Sequence, residues 1–341
     1  MKKLPLLFLL LLVISRIEAN LVGFPDEAVQ LGYQPNKSMA VWHLFEGKAK
    51  DIRQLSFDRA SSTQHDTVFS VKSSGKDWFV KIVSVDLEDE KPKHFEYEWE
   101  LKAQPEKYAL LEKVNGKIVF ADRAAFFIYD GSLYYVASYP FVPGKTIDSV
   151  VEQYIKAERS TDSVMFYKAL YRYAQVSALL NFDPDNIPKK GEDILERPAQ
   201  IYLEDRNGFN ELYDETQDTI YLIDYPLDHE LYQVDIPVKH YMYAIIELFD
   251  DPVGEEVCGV NNTCLPIIIN IFIRGYSDAL PKYGYDFLSR TIGNYILEIA
   301  EKGCNDELEE LNISIDDEDK DPEDFCELKK QLLQIMPDLN V

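Results

Sequence analysis

Asp205, Asn210 and Asp224 form the clearest chemical pattern in the chain. They lie in the stretch 201–224, IYLEDRNGFNELYDETQDTIYLID, where Arg206 follows the first acid and Asn210 comes five positions after it. A polar turn over 214–218 leads into Ile220-Tyr221-Leu222-Ile223 and the second acid, Asp224. The pattern reads as a loop, a hairpin and a strand that bring two carboxylates and one carboxamide toward one point. Hard oxygen donors of this kind suit Mg²⁺ held jointly with phosphate groups. With no complementary residues elsewhere, the same stretch is an ordinary acidic hairpin.

Those complementary residues must come from the elements upstream. Residues 52–57, 67–71 and 77–83 alternate or cluster apolar residues as short strands do, with turn chemistry at Ser73-Ser74-Gly75-Lys76, and predict an antiparallel meander. The polar loop between the first two strands holds Ser61, Ser62 and Thr63, whose hydroxyl and backbone N–H groups are donors. Lys81 sits inside the third strand, in F-V-K-I; taken alone, it is as well read as a strand lysine facing solvent. Residues 91–114 are rich in helix formers, with Pro105 opening a second helical segment and Glu96, Glu98, Glu100 and Glu106 on offer as acids. Residues 117–128 and 133–139 read as two further strands joined by Asp130-Gly131, a hairpin signal. A Pro143-Gly144 turn then leads into helices at 163–182, 239–249, 265–274, 285–302 and 324–336. The stripe Met165, Ala169, Leu170, Tyr173, Val176, Leu179 and Leu180 in the first of these is core without chemistry. Residues 20–50 show no motif.

Length and composition bound the rest. The 341 residues allow two domains, and 46% hydrophobic residues supply a substantial core. Lys plus Arg number 35 against 60 Asp plus Glu, a formal charge of −25 that argues against a nucleic-acid partner. Lys2 and Lys3 precede an apolar run over 4–14, with Ala19 as a small residue for cleavage: the pattern of a secretory signal peptide over 1–19. No later stretch is apolar for long enough to be a membrane anchor, so the expected location is the lumen of the secretory pathway or outside the cell. Cys258, Cys264, Cys304 and Cys326 predict two disulfides, the simplest pairing being 258 with 264 and 304 with 326. Asn36, Asn261 and Asn312 head glycosylation triplets.

In order along the chain stand a strand lysine, a Glu-bearing helix, a Pro-Gly turn, an acid with a downstream Asn, and a strand-end Asp. This order resembles the protein-kinase-like fold, where a third-strand V-A-I-K lysine and an Asp…Asn loop precede a metal-binding Asp. The D-R-x-x-x-N form is similar to that of secreted atypical kinases, and residues 139–147 resemble the hinge of aminoglycoside-phosphotransferase-like proteins. The resemblance covers about 50–300 and implies a two-lobed α+β fold: an N-lobe over 20–142 with an antiparallel sheet and a helix, and a mainly helical C-lobe over 143–341. It further implies ATP as co-substrate, Lys81 on the α/β-phosphates with Glu106 positioning it, Ser61, Ser62 and Thr63 over the phosphates, Mg²⁺ or Mn²⁺ on Asn210 and Asp224, and Asp205 at a hydroxyl acceptor. Two positions depart from the pattern: Leu203 stands where conventional kinases carry His, and the loop at 59–66 has no glycine. These departures keep open a secreted pseudokinase or binding module that performs no transfer.

Overall fold

Two tight turns set the register of the N-terminal sheet. Ser74 and Gly75 have φ of 53° and 78°, and Asp130 and Gly131 have φ of 49° and 82°. Two consecutive left-handed residues make the hairpin turn whose twist matches that of the flanking strands. The computed structural model describes residues 29–55, 67–85, 101–156, 163–201, 210–223, 237–239, 265–305, 307 and 322–335. The first turn joins β3 (Thr67–Ser73) to β4 (Lys76–Val85), and the second joins β6 (Arg123–Tyr129) to β7 (Ser132–Pro140). With β1 (Val29–Tyr33) and β2 (Ala49–Gln54) they form a six-stranded sheet in the order β1-β6-β7-β4-β3-β2. All neighbours are antiparallel except β1 and β6.

Side chains alternate across this sheet, as the strand period of two requires. Val80 and Ile82 of β4 enter a core with Phe69 and Val71, covered by α1 (Lys37–Leu44) through Ala40, Val41 and Leu44, with Phe45 just beyond. Val83 and Val85 join Phe126, Tyr135 and Ala137 on the opposite face. The helix α1 falls in the stretch without a sequence motif. It starts where Asn36 Oδ1 accepts a hydrogen bond from Met39 N at 2.9 Å, an N-cap that satisfies one orphan donor. Both outer strands are irregular. The pairing of β1 shifts between Gln30 and Gly32, and that of β2 shifts between Lys50 and Arg53, where Asp51 has φ of 50°.

One compact unit runs to Gln104 and resumes over Val119–Val142; the other holds Pro105–Ile118, Pro143–Pro226 and the chain from Glu230 onward. The second unit contains α2 (Pro105–Glu112), β5 (Gly116–Ile118), β8 (Lys145–Thr146), α3 (Ile147–Lys156), α4 (Ser163–Asn181), β9 (Glu211–Asp214), β10 (Thr219–Leu222), α5 (Leu265–Ala279), α6 (Tyr285–Cys304) and α7 (Pro322–Ile335). Its small sheet has the order β5-β10-β9-β8, with β5 parallel to β10. The stretch 117–128, read as one strand, is therefore split: β5 pairs in this sheet and β6 pairs in the first. Pro105 does open a helix, in the first-turn position where its missing N–H costs nothing.

The apolar stripe of α4 is buried, with Tyr173, Val176 and Leu180 at 0% exposure. Helices α4 and α5 pack closely, and a disulfide between Cys304 and Cys326 joins the end of α6 to α7. Cys258 and Cys264 lie outside the described residues, as do the signal-peptide stretch 1–19 and all but the first residue of the predicted helix at 239–249. The chain thus has an α+β plan, with an antiparallel-rich sheet first and mainly helices after it.

Candidate functional site

The organising hairpin forms because its turn supplies its own hydrogen bonds. Asp214 Oδ1 accepts from Thr216 N at 2.8 Å and Gln217 N at 3.3 Å, the side-chain mimic of a turn that favours Asp there. Asp218 closes the turn with φ of 52°. The ladder then runs Asp214↔Thr219, Tyr213↔Ile220, Leu212↔Tyr221 and Glu211↔Leu222. One further bond, Ile223 N to Asn210 O at 2.9 Å, extends it past the strand ends. Asn210 is thereby set across from Ile223, the residue immediately before Asp224. Asp224 and Asp205 themselves lie outside the described residues, and so do Ser61, Ser62 and Thr63.

The hairpin is braced by side chains to which the sequence reading gave no role. Arg172 of α4 donates to Asp218 Oδ2 from Nε at 2.9 Å and from Nη2 at 2.5 Å, while Tyr213 Oη donates to Asp218 Oδ1 at 3.0 Å. Burial works to raise the Asp218 carboxyl, but the bonds from Arg172 and Tyr213 outweigh it and hold the group below its ordinary value. Arg172 Nη1 also donates to Gln175 Oε1 at 2.8 Å, Gln175 Nε2 donates to Tyr171 Oη at 3.2 Å, and Tyr171 Oη donates to Asp278 Oδ2 of α5 at 2.6 Å. Burial and then Asp278 push the Tyr171 hydroxyl up to about 12, so it stays a donor at neutral pH. Burial, and then Asp218, raises the Tyr213 hydroxyl as well. The available signal was Arg172 itself, a long cation between the stripe residues Leu170 and Tyr173 in KALYRYAQV.

Glu211 was also missed. It follows Asn210 directly and is fully buried, a rare state for a carboxylate. Strand alternation puts it on the face shared with Tyr213, opposite to that of Leu212. On the neighbouring strand, Gly144 has φ of 141°, and a Cβ there would lie 3.0 Å from Tyr213 O and 3.2 Å from Leu212 Cβ. The Pro143-Gly144 turn is thus what lets β8 approach β9.

The chain that leads toward Asp205 is tied down. Arg197 grips Glu192 with Nε at 2.9 Å and Nη2 at 2.8 Å, which, with a backbone bond from Lys189, lowers the Glu192 carboxyl to about 2. Arg197 O accepts from Val238 N at 2.7 Å, Pro198 bridges to Pro237, and Lys239 pairs with Glu196 at 2.5 Å. The residues that precede 202–209 and those that follow 224–236 are therefore joined.

In the first unit, Lys81 lies half-buried on β4, directly across from Val68 and Ala137. It shares its sheet face with Phe79, Val83 and Tyr139. The Phe79 ring packs on Phe141 with centroids 5.4 Å apart and planes inclined by 31°, and Phe141 is 53% exposed. The lysine thus stands beside a partly exposed aromatic surface. Glu106 is exposed in the first turn of α2, which packs on β5 and α4 in the second unit, so it and Lys81 belong to different units. Glu96, Glu98 and Glu100 lie outside the described residues.

Among the described residues there is no cluster of three or more His, Cys, Asp or Glu side chains able to hold a metal ion, and no helix long and apolar enough to cross a membrane.

Comparison with known proteins finds no matching family and no matching curated protein. Solved structures do show likeness. A MAP kinase from Leishmania major, LmaMPK10, aligns over 89% of this chain and 83% of its own, at 12% identity and a TM-score of 0.36. The BubR1 kinase domain aligns over 65% and 61%, at 14% identity and a TM-score of 0.33. WaaP, solved in complex with acyl carrier protein, aligns over 72% and 87%, at 10% identity and a TM-score of 0.39. Likeness at this level assigns no activity, and the functional reading rests on the residues of this chain.

Proposed function

We propose that this chain is an ATP-dependent phosphotransferase of the secretory pathway that moves the γ-phosphoryl group to a hydroxyl acceptor. The observation that carries this reading is the hairpin register that sets Asn210 opposite Ile223, beside Asp224. A carboxamide and a carboxylate are hard oxygen donors, the kind that suits Mg²⁺ or Mn²⁺ shared with phosphate oxygens. The bound ion would neutralise phosphate charge that Asp205 and Asp224 would otherwise repel.

The residue roles follow from charge and position. Lys81 binds the α/β-phosphates from its sheet face, where Phe79 and Phe141 offer an aromatic surface to the base. Asp205 orients the acceptor hydroxyl and takes its proton as the new O–P bond forms at the γ-phosphorus. The bond from that phosphorus to the β-phosphate oxygen breaks, and ADP leaves. Such catalysis is placement and charge stabilisation more than covalent chemistry by the protein.

Leu203 in the His position and the glycine-free loop favour a second reading, a secreted pseudokinase. A labelled-ATP transfer assay with Mg²⁺ or Mn²⁺ separates the two, using the protein itself and a pool of seryl peptides as acceptors. Transfer by the wild type, lost in Asp224→Ala and Asp205→Ala, supports the phosphotransferase. Calorimetry should find nucleotide still bound by Asp205→Ala and weakened in Lys81→Ala. Failure of the wild type to bind ATP with either metal overturns the reading.

A further inference from the structure

Among the described residues, Asn36-Lys37-Ser38 is the one glycosylation triplet, and it stands where β1 gives way to α1. We infer that Asn36 carries an N-linked glycan whose first sugar packs on the ring of Tyr33. The inference rests on the secretory part of the reading above.

The triplet is open where it must be. Asn36 and Ser38 are both exposed, and proline stands neither at the middle position nor after Ser38. Lys37, the middle residue, is engaged elsewhere: its Nζ donates to Thr67 Oγ1 of β3 at 2.8 Å and lies 4.8 Å from the centre of the Tyr134 ring. Asn36 caps α1 with Oδ1, through the bond from Met39 N. Glycosylation replaces one proton of Nδ2 and leaves Oδ1 an acceptor, so the cap survives the modification. In the transfer, Nδ2 bonds to the anomeric carbon of a lipid-diphosphate-linked oligosaccharide. The bond from that carbon to the diphosphate oxygen breaks, the lipid diphosphate leaves and one amide proton is lost.

Tyr33 is the second observation. It ends β1, is 69% exposed and precedes Asn36 by three residues. At no more than about 3.6 Å per residue, its Cα lies within about 11 Å of that of Asn36, a span that a tyrosine side chain and one sugar ring can bridge. The link between the two is held. Gln34 is buried, its N donates to Ile128 O of β6 at 2.8 Å, and its Nε2 donates to Leu31 O at 2.7 Å. Pro35 has a fixed φ. A sugar ring presents C–H groups on one face, and their hydrogens suit the negative face of an aromatic ring.

The test uses the full chain, its own leader included, exported from a glycosylating eukaryotic cell. Glycans are released by an amidase in heavy-oxygen water, which converts a modified Asn to labelled Asp, and the peptides are read by mass spectrometry. Position 36 should carry the label in most copies, and Ser38→Ala should abolish it. Tyr33→Ala should lower the melting temperature of the glycosylated protein by about 2 °C more than it lowers that of Ser38→Ala. Asn36→Asp, which keeps a capping oxygen, serves as the unglycosylated background if Ser38→Ala folds poorly. Equal shifts in the two backgrounds overturn the packing on Tyr33. Exported protein with an unlabelled Asn36 overturns the inference and leaves the secretory reading intact. A chain retained in the cytosol without glycan overturns both, and the labelled-ATP assay judges phosphotransfer independently of either.

Discussion

Gly275→Ala is the most informative perturbation of the helical unit. In an exposed helix this change stabilises by about 1 kcal/mol, since alanine has the higher helix propensity. Gly275 is buried inside α5, where an added Cβ would lie 2.7 Å from Ala174 Cβ and 2.7 Å from the Tyr171 carbonyl oxygen of α4. Ordinary contact begins at about 3.4 Å, so the helices must part by about 0.7 Å, and neither neighbour is a flexible side-chain end. Overpacking of this kind costs about 3 kcal/mol at the upper end of its usual range. After the gain in propensity, the net loss is about 2 kcal/mol. At 2–4 °C per kcal/mol for a unit of this size, the melting temperature should fall by about 4–8 °C. Differential scanning calorimetry of the purified variant reads this directly. An unchanged or raised melting temperature would refute the close approach of α4 and α5, and with it the placement of Tyr171 against Asp278.

Acidification should destabilise the protein between pH 4.5 and 2, because the Glu192 carboxyl is lowered from its ordinary 4.5 to about 2 in the folded state. The contribution is fully present above the unfolded value and is lost as pH falls through the folded one; Glu192→Gln should flatten the melting temperature against pH in that window, and an unaltered slope would count against the Arg197 pair. The Cys304–Cys326 bridge spans 22 residues, so Cys304→Ser with Cys326→Ser should lower stability by about 3 kcal/mol. Reductant should reproduce the shift in the wild type and leave the double variant unmoved, whereas a wild-type melt indifferent to reductant would show that the bridge contributes nothing.

The meander, both two-residue turns and the organising hairpin were legible because each is specified locally. Ser74-Gly75 and Asp130-Gly131 announce left-handed turns, and Asp214 makes its turn with its own side chain. The helix of 163–182 was legible from its stripe, which matches Ser163–Asn181. What escaped was set at long range. Nothing near Ile118 marks the break between β5 and β6; it exists because Ile220 finds Gly116 and because Val136 finds Ala125. The role of Arg172 depends on Asp218, 46 positions away. In the α1 stretch the signal was present but short: Pro35-Asn36 as a cap, then Ala40, Val41, Leu44 and Phe45 at helical spacing. The proposed metal site is legible only as sequence, since the register brings Asn210 opposite the residue before Asp224 and both acids lie outside the described residues.

The irregular outer strands of the six-stranded sheet govern how the molecule behaves in company. An uninterrupted edge is a template on which a foreign strand can add residue by residue. Here the template breaks on both sides, at Gln30–Gly32 and at Lys50–Arg53, so an incoming strand would meet only a few consecutive bonds before losing register. Copies crowded together are thus denied edge-to-edge growth into fibrils, and the high negative charge adds repulsion at longer range.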